Sequence, residues 1–267
     1  MARTRVRIAS LGPLLALSAA LLFTAGCGEQ APARSSDGQG AAGPSVVVTT
    51  TWEGAFARAA GAEDVTVIVP RSVHHAPDYD PKPSDLAAVA GADFVLYAPF
   101  EPYAGKIKEA AGSKARLVEV NLDNDPDRVR AEVTRLAGLF GTGDAAVAWR
   151  KGFDREYDRL GGELKAAWPG GRSPVVVTQV FTAWSAKLAG VTPVGTYGPE
   201  AVTPAQLAEL SARKPGFVLD NAHMSTGTVL PDSGAEQVEI VNYPDESLDL
   251  VEVYRGAAAE LKKALGS

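Results

Sequence analysis

One cysteine, three histidines and two methionines are all this 267-residue chain holds of the side chains that favour soft metals or thiol and imidazole chemistry. A lone cysteine, Cys27, rules out an internal disulfide framework. No glycine-rich loop has the spacing of a phosphate cradle, and no nucleophile-elbow pentapeptide occurs. Gly141-Thr142-Gly143 reads as a helix break instead. Basic clusters are missing as well, and the formal charge is −6. An acidic chain of this kind has no electrostatic footprint for nucleic acid or for an anionic membrane surface. Beyond residue 26, no stretch is apolar and long enough to span a bilayer.

The first residues, MARTRVRIASLGPLLALSAALLFTAGC, have a different character. Arg3, Arg5 and Arg7 precede an apolar run over residues 11–23, and the small residues Thr24, Ala25 and Gly26 lead into Cys27. That order describes a secretory signal with a lipobox, cleaved so that Cys27 becomes the lipid-carrying (palmitate) first residue of an extracytoplasmic lipoprotein. Removing residues 1–26, which hold three arginines and no acid, takes the formal charge from −6 to −9. Residues 27–45 are rich in Gly, Ala, Ser, Pro and Gln without apolar periodicity, and read as a flexible tether.

The body alternates short β-branched runs with Ala/Leu helical patterns. Strands are expected at 45–51, 65–70, 93–99 and 116–122, with helices at 53–60, 85–90 and 103–111 between them. This implies parallel βαβ units over residues 46–125. From 126 to 168 apolar residues recur only at helical spacing, interrupted at Gly141-Thr142-Gly143, so this stretch reads as a helical connector. Strands return at 174–179, 191–194, 216–220 and 237–242. Helices are expected at 203–212 and 248–265, completing a second lobe over 169–267. The expected fold class is α/β: two lobes with parallel sheets joined by a long helical connector.

In open α/β sheets ligands bind beyond the carboxyl ends of the strands, so two facing lobes place those loops on the walls of a cleft. His74 and His75 fall in such a loop of the first lobe and His223 in one of the second. Imidazole is the commonest metal ligand, and this placement suggests one ion clamped between lobes. Glu101 after the third strand and Asp245 after the last are further candidate metal ligands. Asp127, Asp220 and Glu246 are weaker, each as readily a cap or a solvated charge. Trp52, Tyr79, Tyr103 and Trp184 are candidate pocket walls. No spacing supports catalysis, so no catalytic residue and no catalytic cofactor is assigned.

The segment VIVPRSVHHAPDYDPKPSD (67–85) resembles the metal-binding (zinc and manganese type) solute-binding proteins of ABC transporters. Their proline-rich loop ends in a His-x-Tyr-x-Pro-x-Pro-Ser-Asp pattern, matched here by Tyr79, Pro81, Pro83, Ser84 and Asp85. GADFVLYAPFEPYAGKI (91–107) resembles the next strand and its Leu-Glu-aromatic turn, with Glu101 and Tyr103 in register. NYPDESLDLVEVYRGAAAELKKAL (242–265) resembles the closing segment. The ligand positions diverge: in register, the family's three histidines fall on Pro77, Asp127 and Gln179, and its acidic ligand on Asp245 or Glu246. The resemblance implies two α/β lobes bridged by a long helix and a divalent transition metal (zinc, manganese or iron) as cargo. It further implies delivery by a monomer to an ABC transporter permease. A relative that carries a metal chelate or small organic ligand is the alternative within the binding class, and an exported enzyme on the same scaffold is the alternative outside it.

Overall fold

The computed structural model describes residues 43–70 and 79–266. Cys27, the signal segment, most of the tether, His74, His75 and Pro77 lie outside the described residues.

Two four-stranded sheets, each wholly parallel, carry the fold. The first is built from β1 (Ser45–Val48), β2 (Asp64–Val67), β3 (Phe94–Tyr97) and β4 (Arg116–Glu119), in the spatial order β2-β1-β3-β4. The second is built from β5 (Val176–Gln179), β6 (Gly195–Tyr197), β7 (Phe217–Asn221) and β8 (Glu236–Ile240), in the order β6-β5-β7-β8. The inner strands β1, β3, β5 and β7 are nearly continuously buried, as strands covered on both faces must be. Edge strands such as β2 and β4 are more exposed. In both sheets the chain starts in the middle, steps to one side, then crosses to the other. The reversal between β1 and β3, and between β5 and β7, opens a crevice at the strands' carboxyl ends.

Helices α1 (Thr51–Ala59), α2 (Pro83–Gly91) and α3 (Ala104–Ala111) link the strands of the first sheet. α6 (Ala183–Leu188) and α7 (Pro204–Ala212) serve the second, and α8 (Leu250–Leu265) closes the chain. The expected connector is two helices, α4 (Pro126–Phe140) and α5 (Gly143–Ala166). Asp125 caps α4 by accepting the N–H groups of Asp127 and Arg128, with Pro126 in the first turn. Gly141 ends α4 in the left-handed conformation (φ 74°), as the glycine pair at the break implies. α5 has 24 residues, about 36 Å at 1.5 Å each, and runs past both lobes. It packs on α1 of the first lobe and on α6 and α8 of the second.

A single apolar core therefore crosses from sheet to sheet. It joins Val46, Val48, Phe56 and Leu96 to Val133 and Leu136 of α4, Phe153 and Leu160 of α5, and Leu219, Ile240 and Tyr254 of the second lobe. Tyr254 sits edge-on to Phe153 and Trp184, with ring centroids 5.0 Å apart in each case. The outer faces of the two sheets hold separate, smaller clusters around Ile107 and Val95 and around Val218 and Tyr197.

One strand lies elsewhere than expected. The short strand placed at 191–194 is β6 at Gly195–Tyr197. Val191 is apolar and buried, but its N–H bonds to the carbonyl of Ala186 behind the left-handed Gly190, so it belongs to the end of α6. The ladder starts only when the Val194 N–H reaches the Val176 carbonyl. Among the described residues, no helix is long and apolar enough to cross a membrane.

Candidate functional site

At the β1/β3 reversal the chain leaves β1 through Thr49 and Thr50 into α1, and leaves β3 through Ala98 into Glu101. Thr50 and Glu53 form a reciprocal cap: the Glu53 carboxylate accepts the Thr50 N–H at 3.1 Å and the Thr50 hydroxyl. This cap aims Glu53 inward, where it is 0 % exposed. Glu101 is 7 % exposed and accepts the Ala98 N–H at 3.0 Å and the Tyr103 hydroxyl at 3.0 Å.

The two carboxyls act on each other. Burial raises the pKa of Glu53 far above the usual carboxylate range, and the neighbouring Glu101 raises it further. Burial likewise raises Glu101, while the Ala98 N–H pulls it back. Tyr103 is raised by burial and then by Glu101 and Glu53, so its phenol stays protonated and donates. No lysine, arginine or histidine figures among the described groups that act on either carboxyl. Glu53 Oε1 and the Thr49 hydroxyl, both fully buried, have no hydrogen-bond partner among the described residues.

The second lobe approaches this pair through the loop after β8. Tyr243 lies edge-on to Trp52 with centroids 4.7 Å apart, and its pKa is raised by burial and by both Glu53 and Glu101. His223, after β7, also packs edge-on with Tyr243, with centroids 4.7 Å apart. Asn242 organises the junction: its side-chain oxygen accepts the Trp184 indole N–H at 2.9 Å, its amide donates to the Phe181 carbonyl, and its own carbonyl accepts from Asn124. The Tyr254 hydroxyl donates to the Asn124 carbonyl at 2.7 Å.

Glu101 and His223 are thus linked through Tyr243, which feels the charge of the one and packs against the other. Asp245 is on the same loop, half-buried, and accepts the Ser247 N–H at 2.9 Å. Asp127 is engaged elsewhere, pairing with Lys187 at 2.8 Å and with Arg130 at 3.0 Å. Asp220 is likewise occupied, accepting the Tyr197 hydroxyl at 2.7 Å. Gln179 is buried at the β5/β7 reversal: its Oε1 accepts the Phe181 N–H at 2.6 Å, whereas its Nε2 is unpartnered among the described residues. Tyr79 bonds Asp85 at 2.6 Å, and Asp85 also accepts the Lys82 N–H, so the proline-rich motif holds itself together. Among the described residues, no three His, Cys, Asp or Glu side chains come together as a metal cluster. Glu53 is not among the side chains that the sequence singles out. Its signal was the Thr50-x-x-Glu53 spacing of a capping box at the end of a predicted strand.

Exposed apolar side chains follow three of the strands. Phe100 (68 % exposed), Phe181 (51 %) and Met224 (44 %) stand on the loops after β3, β5 and β7.

No family model and no curated protein matches the chain in sequence. Solved structures do match in fold. The laminin-binding protein Lmb of Streptococcus agalactiae, described as a bifunctional protein with adhesin and metal transporting activity, superposes with a TM-score of 0.62 at 19% identity, over 84% of this chain and 100% of that one. A zinc-bound deletion mutant of ZnuA gives 0.59 at 18% identity, over 84% and 99%. A Mn-bound periplasmic metal-binding protein from Candidatus Liberibacter asiaticus gives 0.57 at 12% identity, over 83% and 99%. Two parallel four-stranded lobes with a long helix running past both are therefore the fold this chain shares with these metal-binding proteins, along nearly the whole length of each.

Proposed function

We propose that the protein is a solute-binding receptor of an ABC importer that captures a divalent transition-metal ion between its lobes. The observation that carries this reading is the buried pair Glu53 and Glu101 at a strand-order reversal, without a cationic partner among the described residues and approached from the other lobe by Tyr243, which His223 touches. Two adjoining buried carboxyls with no cationic side chain among their described neighbours can take a cation in place of their protons. The fold shared with zinc- and manganese-bound proteins agrees with that chemistry. His75, His223, His74, Glu101 and Asp245 are the proposed metal ligands. Lipid at Cys27 would hold a monomeric receptor beside its permease at the outer face of the membrane. Metal titration of the purified protein tests the reading, repeated with His75→Ala and His223→Ala. Tight binding weakened by either change supports the interlobe clamp. Failure to bind any divalent ion removes the free-metal reading.

The exposed apolar side chains after β3, β5 and β7 favour a second reading, in which the metal arrives inside an organic chelate whose hydrocarbon surface rests on Phe100, Phe181 and Met224. Native mass spectrometry of protein from its own host separates the two, since a chelate adds an organic mass.

A further inference from the structure

Elsewhere in the chain, buried carboxylates are provided for. Glu132 is paired with Arg135 at 2.6 Å, and Asp220 is held by the Tyr197 hydroxyl and the Gln237 amide. Glu53 and Glu101 differ: they are as deeply buried, they adjoin each other, and neither has a described cationic partner. An unpaired carboxylate away from water costs several kcal/mol, so such a pair exists in a fold only with a proton or a cation to neutralise it.

We propose that Glu53, Glu101 and Thr49 form an oxygen-donor cation site at the β1/β3 reversal, with Glu53 as a metal ligand and a hard divalent ion of the manganese type as its occupant. This rests on the reading of the protein as a cation receptor, and names the donor set and cation class within it.

The geometry is that of ligands held from behind. The reciprocal cap with Thr50 occupies Glu53 Oε2 and leaves Oε1 buried without a described partner. Tyr103 and the Ala98 N–H each take one bond to Glu101, leaving each of its oxygens a free lone pair. The Thr49 hydroxyl lies near enough to Glu101 to favour its ionised form, yet meets no described group in hydrogen-bond geometry. Such outer-shell bonds fix ligand orientation at metal sites. Two carboxylates balance the charge of one divalent ion. Carboxylate and hydroxyl donors suit magnesium, calcium and manganese better than zinc, and small hard ions retain water in their remaining positions.

The test uses the full-length protein stripped with a chelator and titrated with Mn²⁺ alone, following loss of the free-ion paramagnetic signal. Glu53→Gln keeps the capping geometry, because glutamine at this position also reaches back to the Thr50 N–H. The expected result is a loss of Mn²⁺ affinity of about 100-fold or more in Glu53→Gln. Should Glu53→Gln fail to fold, Thr49→Val, a near-isostere, is expected to weaken Mn²⁺ by about 10-fold. Wild-type affinity in Glu53→Gln, or in Thr49→Val if that variant is the one used, overturns the inference. If affinity is lost in His75→Ala and His223→Ala but kept in Glu53→Gln, the receptor reading stands and this donor set falls. If the folded wild type binds no divalent ion, both fall.

Discussion

The Thr51 hydroxyl donates to the carbonyl oxygen of Pro244 at 2.9 Å, tying the first turn of α1 to the loop that follows β8 in the other lobe. Both groups are buried, and beside them Leu248 packs so closely on Gly54 that a Cβ there would lie 3.0 Å from Leu248 Cδ2. The lobes are thus latched immediately beside the candidate site. Thr51→Val removes the donor and strands the Pro244 carbonyl. It is expected to cost about 1–3 kcal/mol, read as a lower urea midpoint at unchanged slope. An unchanged midpoint would mean that the bond does not hold the lobes together.

Glu53 links this site to pH. Its pKa in the fold is pushed up to about 8 from the ordinary carboxylate value of 4.5, by burial first and Glu101 second. A raised pKa means that the fold prefers the protonated acid. The stabilisation is therefore complete below 4.5 and is lost as pH climbs through the folded value. Chelator-treated protein is expected to lose thermal stability between pH 5 and pH 8 more steeply than Glu53→Gln, which carries no proton to lose. Parallel melting-temperature profiles for the two would show that Glu53 is already ionised in the metal-free fold.

The α/β class and the two lobes were legible because inner parallel strands must be apolar throughout, and VVV, FVLY and FVL announce this locally. Helix ends at Thr203-Pro204 and Gly141 were equally legible, since caps are short-range chemistry. β6 was not: Val191 is as β-branched and buried as a strand residue, yet its N–H closes the end of α6 on the Ala186 carbonyl behind the left-handed Gly190, and that local cap outweighs its strand-like composition. The site divides in the same way. Glu101 and His223 could be placed by their positions after strands. Glu53 could not, because its burial depends on β3 and Glu101 arriving beside α1 from 48 residues further along the chain. Asp127, in register with a family ligand, is drawn into an ion pair by Lys187 of the second lobe, a partner 60 residues away.

The junction of the helices offers a second mechanical test. Gly61 turns the chain out of α1 at φ +94°, where a Cβ would stand 2.7 Å from the Ala145 Cβ of α5. Both the backbone conformation and the close approach exclude a side chain. Gly61→Ala is expected to destabilise the protein by more than about 1 kcal/mol, measurable as a lower urea midpoint, whereas Gly138→Ala, on open helix surface, should be neutral or slightly stabilising. Equal effects would mean that α1 and α5 move apart without cost.

Tyr254 is the residue through which α8 reaches the interlobe junction. Its ring is packed between Phe153 and Trp184, and its hydroxyl donates to the Asn124 carbonyl, while the Asn124 amide in turn donates to the Asn242 carbonyl. Tyr254→Phe keeps the ring contacts and deletes one donor, leaving a buried carbonyl unmet. The expected cost is about 1–2 kcal/mol. Tyr254→Ala loses the ring as well and should cost about 3–5 kcal/mol, as aromatic truncation in a core does. The two variants also differ at the site. Tyr254→Phe disturbs Asn124 and, through it, the loop bearing Tyr243, so cation affinity should fall even though the ring packing is kept. Unchanged affinity in Tyr254→Phe would show that the Tyr243 loop is positioned by Trp184 and Phe181 through the Asn242 side chain alone.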